Sequence, residues 1–144
     1  MQKRRNQYGF TLLEIIVVVA IIAILAAYIA PKVAGRVDDA RISKAKSDIR
    51  VLESSLELYK LDNFVYPSSE QGLDALVNKP SGTELKNWRD GGYIKKLNKD
   101  PWGNEYQYSY PGSNGEFDVF SLGADAAAGG TDEAADIGNW NLDQ

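Results

Sequence analysis

The residues best suited to chemistry lie near the end of this 144-residue chain. Asp125, Asp132, Glu133 and Asp136 share the run 123–136 with three glycines and no basic residue. Calcium takes about six to eight hard oxygens from carboxylates and main-chain carbonyls on a flexible loop, and this segment can offer them without the spacing of an EF-hand. The same composition also describes an acidic loop that is simply solvated. The chain has no histidine and no cysteine, so a metal site must be built from oxygen and no disulfide closes the loops. A nucleophile, base and orienter cannot be assembled from Cys or His either. Ser with Lys, or paired carboxylates, stay chemically available, but no spacing supports them and no catalytic residue is assigned.

A second chemical feature sits at the other end. A basic leader, Met1 to Gly9 with Lys3, Arg4 and Arg5, meets Phe10-Thr11-Leu12-Leu13-Glu14 and an apolar run that continues to Ala30. A secretory signal has its small-residue cleavage site after the apolar stretch; here the break precedes it. Processing between Gly9 and Phe10 would keep the apolar segment and give Phe10 a new α-amino group. Glu14 carries the only charge between Phe10 and Ala30. Inside a bilayer an ionised Glu costs on the order of 2–3 kcal/mol or more, less near the interface, and such carboxylates usually have a function and a partner. The Phe10 amine, of the same chain or of a neighbouring copy, is the natural mate. The alternative is a Glu that snorkels to the headgroups.

These groups must be positioned by the elements between them. Residues 10–30 as a helix would extend roughly 30 Å, the thickness of a bilayer core. Pro31 and Gly35 predict a kink or interruption. Beyond them Ile42, Ala45, Ile49, Leu52, Leu56 and Tyr59 recur at helical spacing, and Arg41, Lys44, Lys46, Asp48, Arg50, Glu53, Glu57 and Lys60 occupy the other faces. Together the two segments predict about 50 helical residues, half of them without a domain to pack on. Ser68 with Gln71 predicts a capped short helix through Leu73 and Leu76. Residues 106–110 and 117–122 read as an antiparallel hairpin with the helix across its inner face. Trp88, Trp102 and Trp140 beside turns are expected in the core rather than on a sugar or base platform.

The segments Gly9-Phe10-Thr11-Leu12-Leu13-Glu14, Tyr59-Lys60-Leu61-Asp62-Asn63, Tyr66-Pro67, Glu70-Gln71-Gly72-Leu73, Gly92-Tyr93-Ile94, Asp100-Pro101-Trp102-Gly103 and Asp136-Ile137-Gly138-Asn139-Trp140 resemble the major pseudopilins of type II secretion systems, within the type IV pilin-like superfamily. The resemblance covers nearly the whole chain. It implies an α+β, pilin-like fold: a long N-terminal helix, membrane-embedded in one half and amphipathic in the other, packed on a small antiparallel sheet with a C-terminal metal-binding loop. It also implies three regions: a cleaved leader at 1–9, a transmembrane and filament-core helix at 10–30, and an amphipathic helix continuing into a periplasmic domain at 31–144. A prepilin peptidase would cut after Gly9 and N-methylate Phe10. Glu14 would pair with a neighbour's Phe10 amine during assembly. Calcium would be held by Asp125 and Asp132, with Asp136 and the carbonyls of Leu122 and Thr131 as further ligands, although Ala126 stands where the family often has Gly. Glu53 and Glu57 would meet Lys95 and Lys96 of another subunit.

The balance of charge agrees with this picture. Three of the 16 basic residues and none of the 20 acidic ones lie in the leader, so its removal leaves 13 against 20, a net charge of −7. That acidity argues against nucleic acid as a partner. The leader's positive charges are expected to stay cytoplasmic, placing the domain beyond the span in the periplasm. About 110 residues remain after the leader and apolar helix, enough for one small domain. The expected function is a major subunit that leaves inner-membrane lipid to form a homopolymeric periplasmic filament, with minor pseudopilins and an inner-membrane assembly platform as partners. A surface-fibre pilin, a tethered binding module that never polymerises, and an anchored hydrolase are the alternatives. The missing cysteines argue against the first, because many such pilins close a C-terminal loop with a disulfide.

Overall fold

The computed structural model describes residues 10–82 and 84–143, with no account of the side chains of Pro31, Val33 and Ala34. One helix, α1, runs from Leu12 to Asn63, 52 residues, about 78 Å of helical rise. It is assigned helical through Pro31 and Gly35, so the expected interruption is absent there. Its start is chemically marked: Thr11 Oγ1 accepts the Glu14 N–H at 3.2 Å, the N-cap arrangement that satisfies one of the orphan donors of a first turn. Its end is marked by Phe64, whose N–H reaches the Lys60 carbonyl at 2.7 Å with a left-handed φ of 65°.

By contact density the chain divides into Met1–Val37 and Asp38–Gln144. In the first unit the apolar stretch of α1 reaches a mean hydropathy of 3.0 over its best 18-residue window, none of it buried within the chain. Length and composition suffice to cross a membrane.

The second unit owes its core to the helical stripe from Ile42 to Tyr59. Ala45, Ile49, Leu52, Leu56 and Tyr59 are buried, and Ile42 is partly so. They share one cluster with Leu73, Leu76, Tyr106, Phe117, Val119 and Ile137. Strand β1 (Gln107–Ser109) pairs antiparallel with β2 (Asp118–Ser121), setting Tyr108 opposite Val119. A third strand, β3 (Ile137–Gly138), pairs on the other side of β2. Its two residues are too short to show periodicity in sequence. Side chains fix it instead: Asn139 Oδ1 accepts the Val119 N–H and its amide donates to the Phe117 carbonyl, both at 3.1 Å.

Ser68 and Gln71 hydrogen-bond each other reciprocally. The Gln71 N–H donates to Ser68 Oγ at 3.2 Å and the Ser68 N–H to Gln71 Oε1 at 2.9 Å. The pair closes a turn and does not cap the helix as expected: the element that follows is a 3₁₀ turn, Leu73–Leu76, whose N-cap is Gly72 with no side-chain hydrogen bond. Trp88 packs edge-on to Tyr93 and donates to the Ala75 carbonyl at 3.0 Å, and Trp102 also lies against the core. Trp140 differs from expectation: it is 37% exposed, with its ring tilted against Phe120, centroids 5.5 Å apart.

Candidate functional site

Two buried carboxylates prepare the ground for the acidic loop. Asp100 takes the N–H groups of Trp102 and Asn104 on Oδ1 at 3.1 and 2.8 Å, and the Ser121 hydroxyl on Oδ2 at 2.6 Å. Ser121 Oγ in turn accepts the Gly123 N–H at 3.1 Å, and Asn104 donates to the Gly123 carbonyl at 3.3 Å. A buried Asp with this many donors is satisfied, and through Ser121 it pins the residue that opens the loop. Asp118 does the same for the hairpin connection, accepting from the main chains of Ser113 and Asn114. Sequence reasoning saw the turn at Asp100-Pro101-Trp102-Gly103 but missed both roles, because the partners are remote or supplied by the backbone.

The loop closes on itself. Ala124 N–H bonds the Glu133 carbonyl at 2.8 Å, and Asp136 N–H bonds the Gly129 carbonyl at 3.2 Å. Gly123 is obligatory: a Cβ there would lie 2.6 Å from the Glu133 carbonyl oxygen, at a φ of 66°. Ala126 and Asp132 both hold φ of 54°; Ala126 adopts the conformation for which Gly is the ordinary choice. Asp125 Oδ1 accepts the Ala127 N–H at 3.0 Å. Asp136 Oδ2 accepts the Gly129 N–H at 2.9 Å, whereas its Oδ1 is buried and unpartnered.

That orphaned oxygen is the feature of the loop that fits a cation, since a buried carboxylate oxygen left unpaired is costly. The donor set, Asp125, Asp132 and Asp136 with the Leu122 and Thr131 carbonyls, is chemically right for calcium. Among the described residues, however, no three acidic side chains are gathered to within reach of one ion. Outside the loop Arg41 links Asp38 and Glu133, at 3.5 and 3.8 Å. Hydrogen bonding from the protonated Glu133 carboxyl to Asp38 holds its pKa above the ordinary value.

The remaining candidates are spread over α1 and one loop. Gly9 lies outside the described residues. Phe10 precedes the helix and is exposed, and Glu14 sits in its first turn, where the macrodipole favours a carboxylate. Glu53 is half-buried; desolvation raises its pKa, nearby Glu57 adds to this, and a hydrogen bond from Asn139 with the charge of Arg50 opposes it. Lys95 and Lys96 line an open cleft of about 280 Å³ with Asp48 and Val51. Within one chain, no ion pair among the described residues joins these lysines to Glu53 or Glu57.

A pilin-like class of chain is what the apolar N-terminal helix and the helix-on-sheet fold define, and residues 4–30 match the profile of the prokaryotic N-terminal methylation motif. Residues 32–140 match type II secretion system protein G, and the chain belongs to that family of structural pseudopilins. It is 57% identical over 140 residues to the type II secretion system core protein G of Pseudomonas aeruginosa, covering 96% of this chain and 99% of that one. With the core protein G of Vibrio cholerae it shares 56% over 142 residues, 99% of this chain and 97% of the other. A crystal structure of the major pseudopilin from the type 2 secretion system of enterohaemorrhagic Escherichia coli superimposes with a TM-score of 0.65 at 47% identity, covering 74% of this chain and 92% of that one. These matches decide for a pseudopilin over a surface-fibre pilin.

Proposed function

We infer that this chain is the major structural subunit of the pseudopilus of a type II secretion system, and works by polymerising rather than by catalysis. The observation that carries the reading is α1 itself. One helix begins with an apolar stretch of which nothing is buried in the chain and ends as the central stripe of a folded core. Each large apolar side chain left in water forgoes about 1.5–3 kcal/mol, so the first stretch requires lipid or other copies of itself. In this reading the peptidase cuts after Gly9 and methylates Phe10, the helix holds the subunit in the inner membrane, and the domain lies in the periplasm. Assembly transfers the helix from lipid into a filament, recruited by the assembly platform and minor pseudopilins, and the growing filament helps move folded proteins across the outer membrane.

Glu14 then acts as the selector. Its carboxylate has no ion-pair partner among the described residues, and the amine freed on Phe10 of a neighbour supplies one in a setting where an unpaired charge is expensive. Glu53 and Glu57 facing Lys95 and Lys96 of another copy add exposed pairs of about 0–1 kcal/mol each, effective through repetition along the filament. Calcium, when bound, would neutralise the loop carboxylates and fasten the C-terminal segment, with Asp125, Asp132 and Asp136 and the Leu122 and Thr131 carbonyls as its holders.

The test compares wild type, Glu14→Ala and Asp125→Ala in cells carrying the peptidase, with filaments counted and the mature N-terminus sequenced. Glu14→Ala should leave the subunit inserted and abolish filaments; filaments at wild-type yield would end the role given to Glu14, and function left intact in Glu14→Ala without filaments would favour a tethered module that never polymerises. Calcium should raise the thermal midpoint of the purified wild type, by the equivalent of about 2.7 kcal/mol at a hundredfold excess over Kd. Asp125→Ala should remove that rise, and a midpoint indifferent to chelator would end the calcium proposal.

A further inference from the structure

The apolar stretch of α1 ends on a pair of side chains that the folded domain does not use. Tyr28 is the only aromatic residue between Thr11 and Leu58, and Lys32 is the first charged residue after Glu14. Lys32 Nζ donates to Tyr28 Oη at 2.9 Å and stands 4.4 Å from the centre of its ring. Both residues are exposed, Tyr28 to 65%. Side chains on a helix lean toward its N-terminus, and this pairing draws the ammonium back to the level of the ring, at the C-terminal edge of the apolar run. An ammonium has three N–H donors and a phenol one O–H. With one N–H spent on Tyr28, two remain, and the phenol, here an acceptor, keeps its own proton to give. Three donors thus stand on two atoms close enough for one anionic group to accept from both.

We propose that Tyr28 and Lys32 together hold the phosphate of a phospholipid headgroup on the periplasmic face of the membrane and so set the depth of the span. The inference rests on the reading of residues 10–30 as a membrane span, and deepens it. Three observations select the ligand. No ion pair among the described residues reaches Lys32, and the sequence has no acidic residue between Glu14 and Asp38. Exposed Arg36 follows one turn further on and adds a second positive charge. A lone aromatic paired with a cation at the end of an apolar run suits a membrane–water boundary, where the phosphate diester is the anion at hand. Once the leader with Lys3, Arg4 and Arg5 is gone, the side-chain cations flanking the span all lie at this end. Tyr28 stands a helical rise of about 21 Å from Glu14, against roughly 30 Å of hydrocarbon. With the pair held at one boundary, Glu14 stays inside the hydrocarbon, about 9 Å short of the other boundary and beyond the reach of its short side chain. The headgroup contact therefore keeps Glu14 where an unpaired charge is most expensive.

The test places the full mature chain, isotope-labelled at its lysine ammonium groups, in vesicles of phosphatidylethanolamine and phosphatidylglycerol and reads dephasing of the ammonium signals by phosphorus in solid-state NMR. A dephased signal is expected that is lost in Lys32→Gln and reduced in Tyr28→Phe, which keeps the ring and removes only the hydroxyl. In a phosphorus-free detergent with inorganic phosphate added, that signal should stay undephased; dephasing as strong as in vesicles would assign the pair to free phosphate and overturn the lipid. The chain has no native cysteine, so single cysteines along residues 22–30, probed with a membrane-impermeant maleimide, map the outer boundary of the span. Tyr28→Phe combined with Lys32→Gln should move that boundary toward the C-terminus by about one helical turn, and a boundary that stays in place would overturn the depth role. Vesicles that retain the chain but dephase no lysine would overturn the headgroup contact and leave the span standing. A mature chain that vesicles fail to retain would overturn the span, and the headgroup contact with it.

Discussion

The two stretches of α1 have the same backbone and opposite debts to their surroundings. In the later one, apolar residues are confined to a stripe, and Ile49, Leu56 and Tyr59 disappear completely into the domain. In the earlier one, apolar residues surround the helix and Ile16, Val18, Ile22 and Leu25 stay about half exposed. The difference teaches that helix formation and burial are separate decisions. The first half meets its backbone needs alone, as a segment in lipid must, and leaves its side chains to whatever surrounds it.

The sharpest way to break this contrast is one truncation on each side. Leu56→Ala should cost the domain about 2–5 kcal/mol, the usual loss for a buried Leu that leaves a cavity. Ile22→Ala should leave the domain's denaturation midpoint unchanged while lowering filament yield. If chemical denaturation of the detergent-solubilised chain shows equal losses, the division of labour along α1 is wrong. A smaller effect is expected at the root of the acidic loop. Ser121→Ala leaves Asp100 Oδ2 and the Gly123 N–H without their partner and should destabilise by about 1–3 kcal/mol. Amide exchange should quicken in residues 122–136 more than in α1. Uniform acceleration would mean that the loop is not a separate cooperative piece.

The smallest effect concerns charge on the later half of α1. Burial and Glu57 raise the Glu53 pKa in the folded chain, so the native state binds that proton more tightly than the unfolded chain does. Stability must therefore fall as pH rises from the ordinary carboxylate range through the raised folded value, and recover as pH is lowered again. Glu53→Gln should remove this slope and slightly raise the midpoint at neutral pH. A slope of opposite sign in the wild type would show that Arg50 and Asn139 outweigh desolvation.

Much of the molecule is legible in its sequence where the chain obeys periodicity. The stripe from Ile42 to Tyr59, the hairpin of β1 and β2, and the pairing of Ser68 with Gln71 all stem from spacing or short-range pairing. The illegible parts depend on single distant partners. Strand β3 exists because Asn139 reaches across to β2, Asp100 is buried because Ser121 meets it, and Trp140 stays at the surface because Phe120 receives it on the sheet. Pro31 was expected to kink or interrupt α1. A single lost amide and its crowding weigh about 3 kcal/mol, and the helical assignment nevertheless continues on both sides. The acidic loop was legible as composition, whereas the orphaned Asp136 Oδ1 became visible only once the chain was folded.

The cap at Thr11 bears on how such a chain can be matured. The earliest helical bond runs from Ile15 N–H to the Thr11 carbonyl at 3.2 Å, and Phe10 lies upstream of it. On the reading proposed above, a cut ahead of Phe10 would therefore spare both the Thr11 cap and that first helical bond.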